Sequence, residues 1–141
     1  MKTKSEKLEN KLIKYLKNEI YFKLAESSVH GVGIFAIKDI PKGTDIYIEF
    51  NDDVPKEKTN YMFKLELNKM ESIPLSVRKM WSGYAVTSGN FQFIYLPPNY
   101  KTFHSLWMNH SDDPNFNAIT KLTIKDIKEG EEIFEDYNLF D

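Results

Sequence analysis

Three short stretches of this chain carry residues that could do chemistry. The richest is Trp107-Met108-Asn109-His110-Ser111-Asp112-Asp113-Pro114-Asn115, where an apolar lead-in runs straight into Asn, His, Ser, Asp and Pro. Such a cluster forms a loop whose side chains bond its own backbone. His110 with Asp112 and Asp113, joined by His30 or His104, would offer donors to a metal ion, but their spacing matches no zinc pattern. Far upstream, His30-Gly31-Val32-Gly33-Ile34-Phe35-Ala36 holds two glycines that let the backbone approach a ligand closely and take positive φ. A dinucleotide loop would need a third glycine and a following helix, which this segment lacks. A strand-joining turn is the plain alternative. Downstream, Gly130-Glu131-Glu132 leads to Glu135-Asp136-Tyr137. The acids Glu129, Glu131, Glu132, Glu135 and Asp136 read as a solvated face, and Tyr137 as an aromatic on a strand.

The elements that must position these residues are mostly short and extended. Leu8, Leu12, Ile13, Leu16 and Ile20 fall on one stripe and predict a helix over 5–20, with Ser5 as its cap. It would pack on the domain's own core. Strands are expected at 20–25, 34–37, 45–50 and 61–67, the third from strict alternation in Asp45-Ile46-Tyr47-Ile48-Glu49-Phe50. Residues 51–60 read as a loop, and 73–81 as a short helix with Pro74 in its first turn. Residues 86–96 predict a hairpin around Ser88-Gly89-Asn90, ended by Pro97-Pro98-Asn99. Residues 116–124 and 133–137 complete the strands. Two turns, Asp39-Ile40-Pro41-Lys42-Gly43 and Asp126-Ile127-Lys128-Glu129-Gly130, look alike.

Composition bounds the function. With 141 residues, one domain is the default, and 41% hydrophobic with 14% aromatic side chains suffices for a core. Nineteen basic against 21 acidic residues leave a net charge of -2, so no basic field recruits nucleic acid. No cysteine is present, which excludes disulfides and thiolate zinc sites. No signal peptide or long apolar run appears, so the chain reads as soluble and intracellular, cytoplasmic or nuclear.

Taken in order, Gly31-Val32-Gly33-Ile34-Phe35-Ala36, then Asn109-His110-Ser111-Asp112-Asp113-Pro114-Asn115, then Gly130-Glu131-Glu132 with Asp136-Tyr137 resemble the signature of SET-domain protein-lysine N-methyltransferases. Each piece alone is weak, but N-H-S-x-x-P-N followed at this spacing by G-E-E-x-x-x-D-Y is hard to reach by chance. The likeness covers about residues 22–141, leaving 1–21 as the N-terminal helix. It implies a mainly β SET fold of several small twisted sheets, a C-terminal pseudoknot, the N-terminal helix and one or two short helices. It further implies S-adenosyl-L-methionine as cofactor and a protein or peptide lysine as substrate, with no direct nucleic-acid or membrane partner. Gly31, Val32, Gly33 and Phe35 would lie along the methionine half of that cofactor, and Asn109 and His110 along its adenosine half. Ser111, Pro114, Asn115, Glu131 and Glu132 would hold shape. Tyr137 would be catalytic, and Phe134, Glu135, Trp107 and Phe140 would line the substrate channel.

Three departures bear on this. Asp112 stands where many relatives carry Cys, and the chain is expected to be a short form without the cysteine-rich zinc segment of many relatives, so Phe140 or a partner would close the channel. Glu135 stands where relatives usually place Phe or Tyr in the channel, and period 2 puts it on the strand face of Tyr137. A catalytically silent SET fold that binds a peptide or cofactor is the alternative function.

Overall fold

The structure, a computed structural model, describes residues 4–50, 62–82, 86–96, 101 and 104–140. In chain order it runs α1 (Lys4–Asn18), β1 (Phe22–Glu26), β2 (Val32–Ala36), β3 (Met62–Glu66), a 3-10 turn (Leu67–Ser72), α2 (Leu75–Ser82), β4 (Val86–Ser88) and β5 (Phe91–Tyr95). A second 3-10 turn (Ser105–Trp107), β6 (Asn109–His110), β7 (Phe116–Asn117), β8 (Leu122–Thr123), β9 (Glu132–Glu135) and a last 3-10 turn (Tyr137–Phe140) follow. Many short strands and little helix give the mainly β class. The loop expected over 51–60, the turn at 97–99 and Asp141 lie outside the described residues.

The chain divides into two compact units, one of residues 1–20 with 49–100 and one of residues 21–48 with 101–141. In the first, α1 buries Leu12 and Leu16 of the stripe its periodicity marks, and Tyr15 beside them. Ser5, the expected cap, lies inside the helix. Tyr15 and Phe63 both pack on Phe50. A three-stranded antiparallel sheet in the order β3-β5-β4 completes this unit, with the hairpin turning at Gly89-Asn90 as its sequence predicts. α2 starts directly after Pro74, whose carbonyl accepts from the N–H groups of Val77 and Arg78.

The second unit is organised by β9. This last strand inserts between two earlier ones in a sheet ordered β1-β2-β9-β6, antiparallel to β2 and parallel to β6. Ile133 on β9 is fully buried with Phe22, Ile34, Ala36, Ile40, Ile46, Met108, Phe116 and Ile127, which together form the core. The two look-alike turns face each other: Ile40 and Ile127 exchange both backbone hydrogen bonds, at 2.7 and 2.8 Å. Asp126 Oδ1 accepts from Lys42 N–H at 2.8 Å, and Asp39 Oδ1 accepts from Glu129 N–H at 2.9 Å, so each turn caps the other. Gly43 and Gly130 end the two turns at φ +86 and +90, where a Cβ would be strained.

Two expected strands are revised. Residues 45–50 form no strand: Asp45 Oδ1 accepts from Tyr47 N–H at 2.8 Å, and this side-chain bond turns the chain while still burying Ile46. The expected strand over 116–124 is two residue pairs, β7 and β8, around a turn. There Asn117 Oδ1 accepts from the N–H groups of Ile119 and Thr120, and Lys121 takes φ +62.

Candidate active site

β6 connects two halves of the site because adjacent residues on a strand face opposite ways. Asn109, only 7% exposed, reaches the glycine loop. Its Nδ2 donates to the carbonyls of His30 (3.0 Å) and Val32 (3.2 Å) and to Glu132 Oε2 (3.0 Å). Glu132 Oε1 accepts from Ser27 Oγ at 2.7 Å, and Ser27 Oγ accepts from Val29 N–H. Ser27 N–H also donates to the Gly31 carbonyl. The glycine loop is therefore held from both ends by the chain Ser27–Glu132–Asn109.

The two glycines do different jobs in that loop. Gly31 sits at φ +46 with open space where a Cβ would stand, so it presents bare backbone. At Gly33 a Cβ would lie 2.5 Å from Glu132 Oε2 and 3.1 Å from Asn109 Nδ2. A side chain at Gly33 would therefore have to displace the Glu132 carboxylate from its bond to Asn109.

His110 faces the other way. Its Nδ1 accepts from Tyr137 N–H at 3.0 Å, and Nε2 faces Asp112 Oδ1 at 2.8 Å. This arrangement suits a neutral ring protonated on Nε2. The His110 and Tyr137 rings lie 5.3 Å apart at 48°. Asp113 pairs with Lys125. Asn115 straps the loop to β9, donating to Glu132 O and accepting from Phe134 N–H, and Ser111 Oγ accepts from Asp113 N–H.

Tyr137 is not on the strand. β9 ends at Glu135, because Asp136 Oδ1 accepts from Asn138 N–H and its carbonyl from Leu139 N–H, winding the chain into a 3-10 turn. Glu135 and Tyr137 nevertheless line one cleft of about 400 Å³, together with Tyr47, Met108, Phe116 and Phe140 among others. That volume is within the range of small-molecule sites. Tyr137 Oη donates to Met108 O at 2.6 Å, leaving its oxygen lone pairs as acceptors. Burial raises the Glu135 carboxyl above its ordinary value. Burial first, then the Glu135 charge, raises the Tyr137 phenol. Tyr47 is raised by burial, then by Glu135 and Asp45.

Of the four residues expected in the channel, Glu135 and Phe140 line this cleft, and Phe134 and Trp107 stand outside its lining. Gly31, Val32, Gly33 and Phe35 lie on the β2 side, linked to the cleft through Asn109 and His110. Sequence reading missed Ser27 and Tyr47. Alternation across 45–50 was the one signal that could have flagged Tyr47, and it pointed to a strand. One half-buried carboxylate and aromatic walls make this cleft suited to a cationic group.

Among the described residues, no helix is long and apolar enough to cross a membrane. The family model for the SET domain matches residues 31–138. No curated protein matches. A crystal structure of a Plasmodium falciparum protein, provisionally named a histone methyltransferase, is similar at 18% identity and a TM-score of 0.40. The match covers 84% of this chain and 93% of that one, and is too loose to carry an argument.

Proposed function

The chain belongs to the SET-domain family, and from that premise we propose that it is an S-adenosyl-L-methionine-dependent protein-lysine N-methyltransferase. The observation that carries this reading is the convergence of Tyr137, Glu135 and aromatic rings on one cleft, joined through His110 and Asn109 to the glycine loop. When bound, the cofactor supplies an electrophilic methyl carbon on a sulfonium. The Gly31–Gly33 backbone, Phe35, Asn109 and His110 would hold it. Asn109 acts there by fixing the loop, since its amide is already spent on the His30 and Val32 carbonyls.

The amine must arrive neutral, aligned and dry. A free lysine amine has a pKa near ~10.4, so deprotonation at neutral pH costs roughly 5 kcal/mol. An amine seated among the rings of Tyr47, Phe116, Tyr137 and Phe140 would lose part of its hydration, which disfavours the charged form. The Tyr137 hydroxyl, pinned by its bond to Met108, offers its oxygen to orient the amine. It serves as no general base, because its own pKa is raised. Glu135 works against deprotonation by attracting the ammonium. This carboxylate is also what favours the second reading, a silent fold that binds a cationic side chain without transfer.

Incubation with radiolabelled cofactor and a panel of proteins, followed by mass mapping of the modified residue, tests the proposal. A methylated lysine is expected. Cofactor and peptide binding without any transfer would favour the silent fold, and absence of cofactor binding would overturn the assignment.

A further inference from the structure

Lys121 stands out on two independent grounds. The first is its backbone: among the described residues it is the one non-glycine at positive φ, +62. The turn from β7 to β8 imposes this. Asn117 Oδ1 accepts from the N–H groups of Ile119 and Thr120, the Asn117 carbonyl accepts from Lys121 N–H at 2.7 Å, and Leu122 pairs back with Asn117. Glycine or asparagine takes that conformation more easily, so the turn itself gives no reason for a lysine. A disfavoured residue held by its surroundings points to a use for its side chain.

The second ground is where that side chain lies. Lys121 lines the cleft, and among the described residues that do so it is the only cation. It is exposed, as are Leu106 and Phe140 at 70% and 64%, so these three mark the mouth. Glu135, the only anion in the lining, is half-buried. Neither charge forms an ion pair, with the other or with any described residue. One cleft thus presents a carboxylate within and an ammonium at its mouth, both unpaired.

We propose that Lys121 is a specificity-determining residue that selects target lysines with a carboxylate close by in the chain. The inference rests on reading the cleft as the place of the target lysine. An inserted lysine carries its cation toward Glu135, while its backbone and neighbouring side chains stay at the mouth with Lys121. A carboxylate there meets an ammonium of opposite sign, whereas an arginine there meets a like charge. Two sources supply that carboxylate: an Asp or Glu flanking the lysine, or the terminal carboxylate of a chain that ends in lysine. Lys121 acts on binding and not on the reacting atoms, so the preference belongs in KM with kcat level.

The test titrates the full chain with alanine-rich peptides holding one lysine flanked by Glu, Gln or Arg, and with a peptide ending in lysine as free acid or as amide. Fluorescence anisotropy reads binding at low salt and again at about 0.5 M. Wild type is expected to bind the Glu peptide about three- to fivefold tighter than the Gln peptide and the Arg peptide more weakly still, with the spread shrinking in high salt. Lys121→Gly should level the series and fold readily, since glycine suits φ +62. Lys121→Glu should reverse the order. A gain for the free acid over the amide assigns the chain end as a source of the carboxylate, and a gain confined to the Glu peptide assigns a flanking side chain. A wild-type series indifferent to flanking charge would overturn the proposal, as would an order that Lys121→Glu leaves unchanged. If the binding order appears and reverses while no peptide is methylated, the selector stands and the transferase reading fails. If all three flanked peptides are methylated with equal KM, the transferase reading stands and the selector fails.

Discussion

Tyr137→Phe removes one oxygen and leaves the ring beside His110. On the proposed role, in which the hydroxyl would act mainly in the transition state, cofactor affinity should stay within a factor of about two while turnover falls by roughly tenfold or more. Steady-state kinetics beside calorimetry checks this, and unchanged turnover would move the role elsewhere. Glu135 sets the pH behaviour. Burial raises its folded-state pKa, so its ionised form costs stability above that pKa, and the cost disappears as the pH falls below the ordinary carboxylate range. Glu135→Gln should thus be more stable than wild type at pH 7–8 and level with it near pH 4, as read by denaturant midpoints. In activity, wild-type turnover should climb with pH above neutrality as the seated ammonium loses its proton, and the Gln variant should start its climb at lower pH. Identical profiles would mean the carboxylate does not face the amine.

At the scale of elements, the paired Asp39 and Asp126 turns form a unit that neither could form alone. Each aspartate accepts a backbone N–H of the other turn, so Asp39→Ala and Asp126→Ala should each cost about 1 kcal/mol. Because both brace the same Ile40–Ile127 bridge, the double variant should depart from the sum by about 0.5 kcal/mol or more in urea unfolding. The glycine loop makes a different demand. Gly33→Val would drive a branched side chain into Glu132 and Asn109, releasing their hold on the His30 and Val32 carbonyls. Cofactor affinity should fall by about tenfold or more, with faster amide exchange through residues 27–33, whereas affinity and exchange like wild type would show that the clamp is dispensable.

At the scale of the whole molecule, the second unit depends on a strand supplied last. β9 bonds both β2 and β6 and buries Ile133 in the core, so it is an internal strand of its sheet. A chain ending at residue 130 should lose the dispersed methyl signals of Ile34, Met108 and Ile127 in NMR spectra, since the core of the second unit stays open without β9. Retention of those signals would show that residues 21–48 and 101–130 fold without it.

Local chemistry made much of this legible in the sequence. Apolar periodicity marked α1, and alternation with the Ser88-Gly89-Asn90 turn marked the β4–β5 hairpin, because each signal acts within a few residues; Asn109, His110 and Tyr137 were singled out by family resemblance. The similarity of the two Asp-Ile turns was visible as well, though not that they cap each other. What the tertiary structure decided involves partners distant in the chain. Asp45 could bend a segment that alternates like a strand, because its side chain competes with ladder bonds for the Tyr47 N–H. Gly33 lies against the Glu132 carboxylate, and Tyr47 and Glu135 line one cleft, though each pair is separated by more than eighty residues of sequence. No local pattern encodes such meetings, since they arise only once β9 has threaded between β2 and β6.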